Sequence, residues 1–365
     1  MARNPKRGTS LEADRVQQMV SQLPLAAALS NAPVDLPKVK APGLDGLEVT
    51  VPKPEDLTED DLSERLHLVL RGLAQVRDRA PGDVVAERDE VMVDVLGYAR
   101  GKLIPFSARA DQWLEVAPMR MLPGFTEALV GLKVGESAKV DVTLPANYPV
   151  ANLQGAKATF LVDVRAARSV KMPDPKKAET LKKLGRGKTV EKLMASLLAE
   201  LEGELADALW LTAQDLVLDE VAKRSAPEVP AALVDEEIRR RWGQAEGKLL
   251  SEKGFDAAEQ KEALDGWLTD PSTRAEAERR LKIALALGAV IVAEKLELTP
   301  DAMRDIVTRA ARTFGLPDDE VKASLAKEKK LGAPMMNVAW HFLAVGHVMN
   351  KAKLHFEGAP PAGQP

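Results

Sequence analysis

Met121-Leu-Pro-Gly-Phe125-Thr-Glu-Ala-Leu-Val130-Gly-Leu-Lys-Val-Gly135-Glu, continuing through Val140-Asp-Val-Thr-Leu-Pro145-Ala-Asn-Tyr148, decides how this chain is read. Phe125 to Leu132 has the length and composition of one short helix between strands, and Gly131 and Gly135 are turn signals. Lys139 to Leu144 then alternates apolar and polar residues, as a strand with one buried face must. The same period recurs at Val91, Val93 and Val95, separated by Met92 and Asp94, and again from Thr159 to Val164. Gly97, Gly101 and Gly155 punctuate these runs. Residues 83–168 are therefore expected to form an α+β domain with an antiparallel sheet.

The rest of the chain differs. It has 365 residues and no cysteine, with 51 basic and 55 acidic side chains for a net charge of −4. That length accommodates about two or three domains. The missing cysteine excludes disulfides, a thiolate nucleophile and a thiolate metal site, and the charge balance excludes a strongly basic nucleic-acid binder. From about residue 171 the pattern is helical. Long helices are expected over 189–224, with a candidate break near Gly203, and over 231–252, 272–297 and 335–352. Leu281, Leu285, Gly288 and Val292 share a face that must pack closely, and such long helices suggest an elongated all-α arm domain.

Upstream, Leu47 to Val51 reads as a short strand stopped by Pro52 and Pro54. Thr58 can cap the next helix, whose apolar stripe is Leu62, Leu66, Val69, Leu73 and Val76. Residues 46–82 are taken as a linker packing on the helical part, and residues 1–45, rich in proline after Asn31, as an arm or tail. Arg3, Lys6, Arg7 and Leu23–Leu29 outline a secretory signal, but Glu12, Asp14 and Arg15 interrupt it, so the expected location is cytoplasmic. The run Leu281–Ala293 is shorter than the roughly 20 residues a membrane span needs.

The quoted stretch, with Leu153-Gln-Gly155 and Phe160-Leu-Val-Asp-Val164 after it, resembles FKBP-type peptidyl-prolyl isomerases. Leu144-Pro-Ala-Asn-Tyr148 followed by Asn152-Leu-Gln-Gly155 is similar to the isomerase domain of the trigger factor family of bacterial chaperones. Glu87-Arg-Asp89, Val229-Pro-Ala-Ala-Leu-Val-Asp-Glu-Glu237 and Asn337-Val-Ala339 resemble flanking segments of that family. The resemblance spans about residues 47–356 and implies an FKBP-like domain over 83–168 and a helical substrate-binding domain over 169–365. The family's ribosome-docking signature, Gly-Phe-Arg-x-Gly-Lys, has no counterpart here, so docking on the ribosome by the usual route is not expected.

Prolyl isomerisation needs a dry apolar pocket that favours a twisted imide rather than an acid, base or metal. The resemblance gives Leu122 the central backbone N–H and an apolar wall, Phe125 the floor, Tyr148 a hydroxyl donor and Phe160 a side wall. Val95 and Ile104 stand where the family usually has aromatics, and Pro105 replaces an acidic residue. A further aromatic aligns near Gln112 or Trp113. These departures imply weak or lost activity, at about tenfold per 1.4 kcal/mol of lost transition-state contact.

The four histidines, His67, His341, His347 and His355, show no metal-ligand spacing, and no phosphate-binding loop is present, so neither metal, cofactor nor nucleotide is expected. The basic run Lys171, Lys176, Lys177, Lys182, Lys183, Arg186, Lys188 and Lys192 lacks interleaved aromatics and reads as a solvated face. Leu249, Leu250, Leu264, Trp267, Leu268, Met303, Ile306, Val307, Met335 and Met336 are the candidate lining of a cradle for unfolded or partly folded polypeptide clients. The same apolar faces equally suit a core or a homodimer interface. The expectation is an ATP-independent holdase with a degenerate isomerase domain. An active isomerase, and an adaptor for one partner protein, are the alternatives.

Overall fold

The computed structural model describes residues 37, 39–105, 107–117, 122–146, 148, 153–303, 305–306 and 332–358. In chain order the strands are β1 (Glu48–Val51), β2 (Gln75–Asp78), β3 (Glu90–Ala99), β4 (Lys102–Leu103), β5 (Arg109–Glu115), β6 (Ser137–Thr143), β7 (Lys157–Lys171) and β8 (Lys353–Phe356). The helices are α1 (Glu59–Arg71), α2 (Ala178–Leu184), α3 (Val190–Ser225), α4 (Ala231–Gln244), α5 (Glu246–Glu252), α6 (Ala257–Thr269), α7 (Pro271–Ala293) and α8 (Gly332–Lys351). The chain divides into two compact units. One comprises residues 55–205 and 242–273, and the other residues up to 54, 206–241 and 274 onwards.

The first unit carries a six-stranded antiparallel sheet. β3 pairs with β7 along its whole length and with β5 and β4 on its other edge. β6 and then β2 cover the far edge of β7. The pleat sends Val91, Val93 and Val95 of β3, Val140 and Val142 of β6, and Phe160, Val162 and Val164 of β7 into one core with Phe125, Leu129 and Leu144. Each such side chain contributes about 1.5–3 kcal/mol on burial. This α+β arrangement agrees with the alternation in the sequence. The helix expected over Phe125–Leu132 is shorter: a single 3-10 turn, Glu127–Leu129.

α1 starts at a capping box in which the Asp61 carboxylate accepts the Thr58 N–H at 2.8 Å and Thr58 Oγ1 accepts the Asp61 N–H. Leu62, Leu66 and Val69 pack against Leu181 and Leu184 and against Leu193 and Leu197 of α3. Leu73 and Val76 do not extend that stripe. The helix stops at Gly72, and Gln75–Asp78 pairs instead with Arg168–Lys171. The 15-residue β7 outruns β6, and β2 supplies partners for the remaining backbone groups on that edge.

In the second unit β1 and β8 form a parallel pair, with Glu48 opposite Lys353 and Val51 opposite Phe356. Val51 is fully buried with Leu209 and Ala213, and Phe356 meets the Trp210 ring edge-on at 5.5 Å. In α7, Leu281 and Ile283 to Leu287 are buried almost all round, as the apolar run requires. Val292, expected on its close-packed face, is instead 77% exposed, because α7 ends one residue later. α3 runs unbroken through Gly203. The single helix expected over 231–252 is two, α4 and α5, separated at Ala245 (φ −109°, ψ −101°). Among the described residues no helix is long and apolar enough to cross a membrane.

Candidate functional site

Phe125 and Phe160 form the centre of the candidate site. Their rings meet edge to face, 5.3 Å between centroids, and each is 3% exposed. β7 sets Phe160 opposite Gly97 of β3. The Ser107 hydroxyl ties the following turn down, accepting the Gly97 N–H and donating to the Gly97 carbonyl, both at 3.1 Å. The Ile104 N–H donates to the same carbonyl at 2.8 Å. Val95 and Ile104 are buried in this core, while Leu122 and Tyr148 pack half-buried against it. Burial raises the Tyr148 phenol above its ordinary value, against the opposing charge of Arg109. The phenol therefore stays protonated at neutral pH, able to donate to a carbonyl.

Trp113 is not part of this group. Alternation along β5 turns Leu114 into the core, so Trp113 faces the other side, where the Arg168 guanidinium lies 4.2 Å from its ring centre. Gln112, paired with core-facing Val93, holds the position on the pocket side. The two alternatives differ by one residue, and only the pairing register separates them.

The proposed cradle residues are scattered. Leu250 and Trp267 are 1% and 2% exposed, and Ile306 is buried. Leu249, Leu264, Leu268 and Met303 are half-buried, and Met336 is exposed. Val307 and the side chain of Met335 lie outside the described residues. Two strongly exposed apolar side chains are absent from the proposed cradle: Leu211 (61%), which the sequence reading missed, and Val292, which it placed on a packed face. Leu211 was legible: Leu209, Ala213 and Val217 are buried on one stripe of α3, and residue 211 falls about 200° round from 209.

Residues 82–165 match the family model for FKBP-type peptidyl-prolyl cis-trans isomerases, and residues 189–340 that for the C-terminus of bacterial trigger factor. The trigger factor of Actinobacillus pleuropneumoniae serotype 3 is 30% identical over 318 residues, which cover 87% of this chain and 70% of that protein. That of Glaesserella parasuis serovar 5 is 29% identical over 321 residues, with the same shares. A solved trigger factor chaperone matches at 16% identity and a TM-score of 0.32, over 86% of this chain and 72% of its own.

An FKBP-type isomerase domain is thus joined in one chain to helices of the trigger factor type. The chain belongs to the trigger factor family and is a trigger-factor-like chaperone.

Proposed function

We propose that this chaperone holds unfolded or partly folded polypeptides in the cytoplasm without nucleotide, by loose contact with apolar side chains left open to water. The observation that supports this is the exposure of Leu211, Val292 and Met336, at 61%, 77% and 42%, in a unit whose other described large aliphatic residues are buried or half-buried. At roughly 25 cal/mol per Å2, a few hundred Å2 of such surface gives weak, reversible capture. Suppression of aggregation of a chemically denatured test protein, with no ATP added, is the measurement. No effect at equimolar chain removes the reading.

The FKBP-like domain is proposed to isomerise prolyl bonds weakly. Phe125, Phe160 and Tyr148 supply an apolar floor and a donor, but Val95, Ile104 and Pro105 supply neither aromatic walls nor a carboxylate. The rate with a proline-containing peptide is expected above buffer, and lowered by Tyr148→Phe. A rate equal to buffer excludes the activity.

A further inference from the structure

α5 and α6 form a hairpin that packs on the sheet of its own unit, on the face opposite Phe125 and Phe160. Leu249, Leu250 and Phe255 of the hairpin meet Leu96, Leu103 and Ala108 there. α6 passes close to Pro105: a Cβ on Gly266 would lie 3.8 Å from its ring. Glu246, 3% exposed, sits at the centre and accepts the Ala108 N–H at 3.2 Å and the Trp267 Nε1–H at 2.6 Å. At the rim Lys253 Nζ lies 2.5 Å from the Asp94 carboxylate. Burial would raise the Asp94 carboxyl, but hydrogen bonds from Lys253 and the Asp111 N–H hold it below its ordinary value.

The closure has the features of a contact made to open. Of its apolar residues Ala108, Leu250, Ala263 and Trp267 are buried, while Leu96, Leu103, Leu249 and Phe255 are only half-buried. A carboxylate occupies its middle, where an apolar side chain of the same size would bind more tightly. A groove of about 460 Å3 remains between hairpin and sheet, lined by Leu96, Leu161, Leu249, Phe255 and Lys139. Leu161, in its floor, is still 37% exposed. The hairpin is also bounded by non-helical residues, Ala245 before it and Asp270 (φ −70°, ψ 120°) after it. Small, mixed interfaces of this kind within a chain permit relative motion.

We infer that the hairpin is a releasable clasp. Closed, it covers an apolar face of the FKBP-like sheet. Open, it presents two faces to non-native chain segments, one around Leu96, Leu103 and Leu161 and one around Leu249, Leu250 and Phe255. What the opened faces bind rests on the client-holding reading above; the clasp itself does not.

The test uses the full chain. Lys253→Glu opposes Asp94 across the rim without touching the core, and Glu246→Ala removes the central acceptor. In both variants the fluorescence of the dye ANS should rise, and the Ala108 amide should exchange about tenfold faster, while amides of β3 and β7 keep their protection. Unchanged dye binding and exchange, or loss of β3 and β7 protection along with Ala108, would overturn the clasp and make the hairpin a fixed part of the fold. Because the chain has no cysteine, Asp94→Cys with Lys253→Cys can be bridged by a bis-maleimide to lock the closed form. Locking should lower aggregation suppression relative to the unbridged chain. Equal suppression overturns the role of the opened faces, and suppression by neither form sinks the client-holding reading while dye binding and exchange still decide the clasp.

Discussion

The Phe160 ring fills the space that a side chain at Gly97 would need: a Cβ there would come within 2.6 Å of Phe160 Cε1 and 3.0 Å of Ser107 Cβ. The backbone of β3 and the ring on β7 are in direct contact at the point where Ser107 closes the turn after β4. Gly97→Ala must push the ring or the turn outward, and overpacking of this kind costs about 1–3 kcal/mol. A lowered urea midpoint and a lower isomerisation rate are expected together. Retention of both values would show that the contact relaxes freely.

Glu90 ties the opposite end of β3 to two cations. It is 2% exposed and accepts hydrogen bonds from Arg71 Nε and Arg168 Nε, each at 2.5 Å. Burial would raise its carboxyl, but these guanidinium bonds more than offset that and leave it below the ordinary value. Its contribution is present above the ordinary carboxylate range and is lost as pH falls. Glu90→Ala leaves two partly buried guanidiniums without it, and a loss of about 3 kcal/mol in urea unfolding is expected.

His341 makes the second unit acid-sensitive. Burial, helped by the charge of Arg280, pushes its pKa down to about 4, and its Nδ1 has no hydrogen-bond partner among the described residues. The unfolded chain takes up this proton near pH 6.5, whereas the folded chain resists until about 4. Stability from the neutral imidazole is thus complete above about pH 6.5 and falls away towards pH 4, by on the order of 3 kcal/mol. Unfolding midpoints of wild type and His341→Leu between pH 7 and 4 provide the check. The variant should flatten the profile, and a parallel decline in both would assign the effect elsewhere.

Leu211→Glu and Val292→Asp place charge on exposed helical positions. Surface substitutions of this type usually change stability by less than about 0.5 kcal/mol. Aggregation suppression should nevertheless weaken for each and more for the pair. Full suppression by the double variant would move client binding to other surfaces.

Pro105→Asp restores an acceptor on the turn that Ser107 anchors. The Pro105 ring faces Gly266 of α6, on the side away from Phe125 and Phe160, so the new carboxylate is directed away from the pocket. Isomerisation is therefore expected to change by less than about tenfold, the equivalent of 1.4 kcal/mol. The same change removes the ring that faces Gly266, so Ala108 exchange should be followed alongside.

β1, β3, β6 and the first half of β7 were legible because each alternates along the chain, so Val91, Val93 and Val95 announce β3 on their own, whereas β4 and β5 carry no such pattern. β2 and β8 were not legible either. Gln75–Asp78 is exposed on every residue, and Lys353–Phe356 alternates polar and apolar over only four residues, so both depend on a neighbouring strand that offers an unpaired edge. The aromatic floor of the site was readable from residues 121–160, but the face taken by Trp113 depends on register, which the local pattern leaves open by one residue. The burial of Leu250 and Trp267 was hidden for a different reason. A helix shows which face is apolar, not whether that face meets its own chain or water.

The Glu48 and Lys353 side chains meet across the β1–β8 pair although 305 residues separate them. At about 5–20 residues per second of synthesis, β1 waits roughly 15–60 s for its partner. The sheet of residues 75–171, by contrast, has all its strands as soon as β7 is made. The second unit is therefore incomplete until β8 emerges, and an early copy of the chaperone carries a bare strand edge, open to the same mispairing that threatens any non-native chain.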